Sequence, residues 1–212
     1  MNPHLVLDHQ TSQSFELADY RRCVSDLYAR VRTASPVEGW LQWRTGRDLL
    51  FADHPQTPIE PDDRAAFRGL DYYPYDPAYR VEAALEPIER WSGSITHSAD
   101  GGTPFLGVGR VRLDLPGGQV SLDVYWLDTY GGGLFLPFQD GTAGETTYRG
   151  GRYLLDTAKG ADLGSVEDRL ILDFNFAYHP SCSHSWRWSC PLAPSNNQTS
   201  VRIEAGERRA RS

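Results

Sequence analysis

The sequence predicts an α+β chain that is mainly β, an antiparallel barrel or sandwich preceded by an N-terminal pair of helices. Two helix-period stretches lie between residues 15 and 53, and from Phe67 onward the chain turns to short β-branched and aromatic runs broken by Gly and Pro. No helix pattern separates those runs, so they are read as antiparallel neighbours joined by short turns. A length of 212 residues supports one sizeable core. The expected organisation is a single domain over 1–212, with a helical part at about 15–53, a β part at about 67–206 and a flexible tail at 207–212.

The first helix is predicted over 15–33, where Leu17, Tyr20, Val24, Leu27, Tyr28 and Val31 recur at three- and four-residue spacing between charged positions. Cys23 falls on that stripe and reads as a small core residue. "SPVE" at 35–38 predicts a second helix start, with Ser35 and Glu38 as a capping box and Pro36 in the first turn. This helix should end near Ala52, before the two prolines of "HPQTP". It brings Arg47 among Trp40, Trp43 and Phe51, where its stem covers aromatic faces or its head enters a polar site.

In the β part, "FLGVGRVRLDL", "PGG" and "QVSLDVYWL" predict a hairpin turning at Pro116–Gly118. "YGGGLFLPF", "GRYLLD" and "RLILDFNFAY" supply further strands.

A formal charge of -7, with Lys159 the sole lysine, lacks the basic excess that phosphate contacts need, so no nucleic-acid partner is expected. The start "MNPHLVLDHQTSQS" has no basic segment followed by an apolar run, and no stretch approaches the ~20 apolar residues of a membrane helix. A cytoplasmic location without a membrane span is therefore expected. Its three cysteines then read as thiols, although Cys182 and Cys190 are close enough in sequence to pair if oxidised. Gly107 and Gly109 sit within a strand pattern with no following helix, so they are not a dinucleotide loop, and the common nucleotide and hydrolase motifs are absent.

Two stretches resist a purely structural account. "PFQDGTAGETTYRGGRYLLD" brings Asp140, Thr142, Glu145 and Arg152 to a Gly-rich connection, which is either a polar turn or the rim of a cavity. "DFNFAYHPSC" reads as a strand with Asp173 and Asn175 on one face, and buried polar groups there need partners. Arg152 is the expected counter-ion of Asp173, because its fork can hold a carboxylate in bidentate fashion. Further along, His179, Cys182, His184 and Cys190 invite a zinc or Cys–His reading, but their spacing contains no Cys-x-x-Cys pair.

These segments together resemble the bacterial and archaeal family known as domain of unknown function 1684. The resemblance spans nearly the whole chain, through "WLQWRTGRDLLFADHPQTPI", "LFLPFQDGTAGETTYRGGRYL", "LDFNFAYHPSC", "CPLAPSNN" and "IEAGE". It marks Trp43, Arg47, Asp48 and His54 in the helical part. In the β part it marks Asp140, Thr142, Tyr148, Arg152, Tyr153, Asp173, Asn175, Tyr178, Cys182, Cys190, Gly206 and Glu207, among others. His179 stands where the family usually has Asn, so neither that histidine nor His184 looks like a family metal ligand. The resemblance implies no activity.

The functional expectation is a pocket for a small polar or anionic metabolite lined by Asp140, Thr142, Arg152, Asp173 and Asn175, with Arg47, Tyr148, Tyr153 and Cys182 as further ligand-binding residues. One alternative is a hydrolase or isomerase with Asp140 or Asp173 as general acid or base and Arg152 as charge stabiliser. Another is an interaction module with a purely structural polar cluster and "DYYPYDPAY" as its partner surface. The sequence names no cofactor and no metal, and leaves the oligomeric state open.

Overall fold

The computed structural model describes residues 8–209. Two helices, α1 (His9–Val31) and α2 (Pro36–Asp53), are followed by ten strands: β1 (Asp71–Tyr72), β2 (Arg80–Ala84), β3 (Ser92–Thr96), β4 (Gly102–Leu115), β5 (Gly118–Leu127), β6 (Leu134–Phe138), β7 (Arg152–Asp156), β8 (Ser165–Val166), β9 (Arg169–Asp173) and β10 (Glu207–Arg208). They form three antiparallel sheets ordered β3-β4-β5-β6-β7, β2-β9-β8 and β1-β10. The α+β, mainly β class is therefore observed, as a sandwich-like arrangement rather than a closed barrel. No described helix is long and apolar enough to cross a membrane.

The five-stranded and three-stranded sheets face each other across a core that includes Val111, Leu122, Leu136, Leu172 and Phe174. A second, aromatic core joins Tyr28 and Trp43 of the helices to Tyr125, Phe135, Tyr153 and Phe176. The helices thus cover one side of the large sheet, and the space left between them and the sheet holds the candidate site.

Several boundaries differ from expectation for local physical reasons. α1 begins six residues earlier than predicted because Asp8 caps it, its carboxylate accepting the Thr11 N–H at 2.8 Å. At α2 the Ser35 hydroxyl donates to the Glu38 carboxylate at 2.7 Å and makes no bond to the helix backbone, so the two side chains bond each other in place of the backbone bonds of the expected capping box. The expected strand through "DFNFAY" stops at Asp173. There the Asp173 carboxylate accepts the Asn175 N–H at 3.0 Å, and Phe174–Phe176 fold into a 3-10 turn. The hairpin forms as read, with Leu115 paired to Gly118.

The tail expected from 207 is ordered at its start. Glu207 and Arg208 pair with Tyr72 and Asp71, and residues 210–212 lie outside the described residues, as do 1–7 at the other end. Cys23 is half-buried beside Asp19 and His54 rather than in the core. In "DYYPYDPAY", Tyr72 and Tyr79 are buried, so that run mainly covers the core.

Candidate functional site

Arg152 pairs with Asp140, Nη2 to Oδ1 at 3.1 Å, and both are buried. Arg152 also donates to the backbone carbonyls of Ile203 (2.9 Å), Ala205 and Glu207. Asp140 in turn accepts the Ile203 N–H at 2.8 Å and the Thr142 hydroxyl at 2.8 Å. A buried charge is tolerated when hydrogen-bonded partners compensate it, and here Asp140 and the backbone of residues 203–207 take up Nη1 and Nη2, while Nε is buried without a partner among the described residues. The cluster is a clamp on the segment that carries Glu207.

Asp173 is not paired with Arg152, which corrects the expected counter-ion. Its Oδ2 faces Arg80 at 3.3 Å and Tyr75 Oη at 3.4 Å, while Oδ1 accepts from the Asn175 side chain at 2.8 Å. Asn175 completes the joint by exchanging hydrogen bonds with the backbone of Asp76, at 3.0 and 2.8 Å. Burial pushes the Asp173 carboxyl up, against the lowering effect of these donors. The five residues expected to line one pocket therefore form two separate knots, both closed to solvent, and their carboxylates present no free oxygen to a solute in this conformation.

The polar centre that does face a cavity is built around Glu207. Gly206 precedes it with φ +79°, and a Cβ there would lie 2.5 Å from the Ala177 carbonyl, so glycine is required for the segment to lie against the 3-10 turn. Glu207 Oε2 accepts Arg47 Nη2 at 2.5 Å and the His179 backbone N–H at 3.0 Å. Oε1 lies 3.3 Å from His179 Nδ1 and 3.2 Å from His184 Nε2, although neither contact is well aligned. Burial alone would raise the Glu207 carboxyl, but Arg47 and then His179 hold it well below the usual carboxylate range. Arg47 has its guanidinium carbon 5.0–5.2 Å from the rings of Trp43, Phe51 and Tyr178, and its Nε donates to Tyr72 Oη at 3.2 Å. Of the two readings of Arg47, the polar-site one holds. One terminal nitrogen, Nη1, has no partner among the described residues.

His179, His184 and Glu207 offer three donor atoms within 4.8 Å of one another, a spacing that could hold a metal ion. The tautomer of His179 opposes that role. Its Nε2 accepts the Tyr148 N–H at 3.0 Å, so in the neutral ring the proton sits on Nδ1, the nitrogen that faces Glu207. Burial, only partly offset by Glu207, lowers the His179 pKa and favours that neutral form. An asparagine side chain offers the same donor and acceptor. The donor set fits a hydrogen-bonded anchor better than a cation.

Above this centre lies a cavity of about 240 Å³ between α1, α2 and the sheet. Its walls are largely apolar, with Leu17, Val24, Leu27, Trp43 and Phe51 from the helices and Tyr153, Tyr178 and Pro191 from the β part. Arg47 and His179 reach it from the polar centre, and Arg21 and Lys159 also line it. Of the expected ligand-binding residues, Arg47 and Tyr153 line this cavity, and Tyr153 Oη donates to the Pro191 carbonyl at 2.5 Å. Tyr148 and Cys182 lie together elsewhere, Oη to Sγ 3.7 Å, and Thr142 and Asn175 belong to the two knots. The resemblance marks Glu207, but the sequence reading places it at the start of a tail and outside the site, and His184 enters only the zinc reading that its spacing disfavours. The available signal for Glu207 was its place directly after Gly206 in "IEAGE".

Fold and site together define a two-helix-capped antiparallel β protein with a buried Arg–Glu–His centre under an apolar cavity. The chain belongs to the family described as "Protein of unknown function (DUF1684)", whose model matches residues 65–208. It is similar to an uncharacterized protein of Haloarcula marismortui whose structure was solved by solution NMR. The two share 38% identity with a TM-score of 0.60, over 82% of this chain and 95% of that one. No curated protein matches the chain.

Proposed function

We propose that this protein binds a small, mainly apolar molecule bearing one anionic or hydrogen-bond-accepting head group, in the cavity between the helices and the large sheet. The observation that carries this reading is Arg47, a guanidinium set in an aromatic wall whose Nη1 has no partner among the described residues while its charge is held by Glu207. A donor fixed in an otherwise apolar, enclosed surface is what orients a ligand whose body is held by area burial. Apolar cavities near 150 Å³ admit benzene, so 240 Å³ has room for a ring or short chain with its head group. Arg21 is exposed and has no ion pair among the described residues, and it adds positive charge to the cavity lining, which favours a carboxylate head.

Trp43 and Trp188 both line the cavity and serve as reporters. Titration with a series of medium-chain carboxylates and the matching alcohols should change tryptophan fluorescence and raise Tm, with the carboxylates tighter and a negative heat-capacity change on binding. Leu17→Trp, at the half-buried edge of the cavity, should block binding without disturbing the Arg47–Glu207 pair. The reading fails if no member of either series shifts Tm or fluorescence, or if Leu17→Trp binds as the native chain does.

A further inference from the structure

The apolar cavity does not end at Tyr153. Arg21, Tyr153, Lys159 and Pro191 line it on one side, and on the other they line a second chamber of about 380 Å³, at the end of the large sheet where β4 begins and β5 ends. Two of these four are fixed to each other by the hydrogen bond from Tyr153 Oη to the Pro191 carbonyl. The other two are long, exposed side chains, so the partition can yield at Arg21 and Lys159. The far wall of the chamber is the turn from β5 to β6, where Thr129, Gly131 and Gly132 line it. Gly133 packs that turn onto the 3-10 turn Thr157–Lys159, so closely that a Cβ there would lie 2.7 Å from the Ala158 nitrogen.

The polar character of this chamber comes from Asp156 and the sole lysine of the chain, Lys159. Asp156 ends β7, where its backbone N–H and carbonyl are both bonded to Ala161, at 2.9 and 3.0 Å, which fixes the base of its side chain. Its Oδ2 accepts from Lys159 Nζ at 2.6 Å. Its Oδ1 is buried and has no partner among the described residues, although the residue lines the chamber. Lys159 Nζ makes no other hydrogen bond among those residues, so two of its three N–H donors stay open. A buried carboxylate oxygen without a donor is costly to leave. The pair as a unit is neutral. It therefore presents an open acceptor beside open donors with no net charge, the complement of a hydroxyl, which both donates and accepts.

We propose that the ligand of the apolar cavity carries a second polar end, a terminal hydroxyl that crosses the partition into this chamber, donating to Asp156 Oδ1 and accepting from Lys159 Nζ. This assignment rests on the binding reading above. It narrows the ligand class to hydroxy acids, with the anionic head at Arg47 and the hydroxyl at the far end of the apolar body. A second carboxylate at that end would face the Asp156 carboxylate, and a bare hydrocarbon end would leave Oδ1 without a donor. The protein thus selects its ligand at both ends, while the walls between them act on length and apolar area alone.

The test is calorimetric titration of the full chain with straight-chain carboxylates of increasing length, each beside its ω-hydroxy counterpart and the matching dicarboxylate. A terminal hydroxyl weakens transfer into a purely apolar site, so the sign of its effect is diagnostic. Beyond the length that fills the first cavity, the hydroxy acid should bind at least about tenfold tighter than the plain acid. Asp156→Leu removes the acceptor and leaves the exposed Lys159 ammonium to water, and it should reverse that preference while short plain acids bind as they do to the native chain. Gly131→Trp keeps Asp156 and Lys159 in place and fills the chamber instead. A Cβ at Gly131 would meet nothing within 4 Å, so this variant should weaken the long hydroxy acids and spare the short plain ones. If short acids bind and the hydroxyl brings no gain at any length, the proposal falls and the binding reading stands. If no acid of any length binds, both fall. A dicarboxylate that binds tighter than the hydroxy acid, or a hydroxyl preference that survives both variants, would also overturn the proposal.

Discussion

Arg47 and Glu207 meet at 2.5 Å across 160 residues of sequence, and this one pair ties α2 to the last strand of the chain. Glu207 is fully buried and Arg47 nearly so, so each charge depends on the other for its compensation. Arg47 additionally lies against three aromatic rings, which makes its stem and plane part of the core as well as its charge.

Glu207→Gln should therefore cost about 3–5 kcal/mol, the range for breaking a buried pair while leaving one charge behind. Arg47→Met alone should cost a similar amount. The double variant should lose clearly less than the two singles combined, since neither charge is then stranded. Urea denaturation of the four proteins measures the coupling, and strict additivity would show that the pair does not act as a unit.

The Asp140–Arg152 knot yields a different pattern. Arg152→Met strips donors from the carbonyls of Ile203, Ala205 and Glu207 and leaves the Asp140 carboxylate buried with fewer partners. Several stranded polar groups at about 1–3 kcal/mol each would consume much of the stability of a chain this size. The variant should unfold or aggregate at temperatures where the native chain is folded. A well-folded Arg152→Met protein that has lost only ligand affinity would instead restore this cluster as a binding surface.

His179 sets a pH dependence whose sign can be worked out. Its pKa in the fold lies below the ordinary value of 6.5, because burial disfavours the imidazolium more than Glu207 favours it. The unfolded chain thus binds the proton more readily. The stabilising contribution is complete above pH 6.5 and is lost as pH falls below that value toward the folded pKa, with a slope of at most about 1.4 kcal/mol per pH unit. Glu207, held well below the usual carboxylate value of 4.5, begins to contribute a loss only at lower pH. His179→Asn keeps an acceptor for the Tyr148 N–H and a donor for Glu207, and it should flatten the stability profile just below pH 6.5. Urea midpoints across that window, with and without the substitution, check this. An unchanged slope would assign the titration to another group.

Much of this frame was legible because it is periodic or local. The stripe Trp40, Trp43 and Arg47 follows from helical spacing, and Arg152 reaches Asp140 because they flank one short connection between paired strands. The failures share a physical cause. Alternation in "DFNFAY" could be read as a strand, but the Asp173 side chain offers the backbone a competing hydrogen bond and ends it. Glu207 lies next to a run of arginines and so resembles a solvated tail. Its burial depends on pairing with β1, 135 residues earlier at Tyr72, which no local pattern encodes. A cavity between helices and sheet is a product of packing, and residues such as Leu17 and Tyr153 carry no mark in the sequence that they line one.

Gly206 makes the dependence of the site on that last segment testable. Its φ of +79° is strained for any residue with a side chain, and an added Cβ would lie 2.5 Å from the Ala177 carbonyl and 2.6 Å from that of Phe174. The Ala177 carbonyl also accepts the Glu207 N–H at 2.8 Å, so the clash falls on the contact that positions Glu207. Gly206→Ala should cost more than about 1 kcal/mol, because the backbone penalty and the displaced contact act together. Since Glu207 orients Arg47, the same variant should weaken carboxylate binding more than alcohol binding, although residue 206 touches no ligand. Calorimetric titration of both ligand classes reads the difference. An equal loss for both would mean that Arg47 does not recognise the head group, and an unchanged stability would mean that the segment relaxes without moving Glu207.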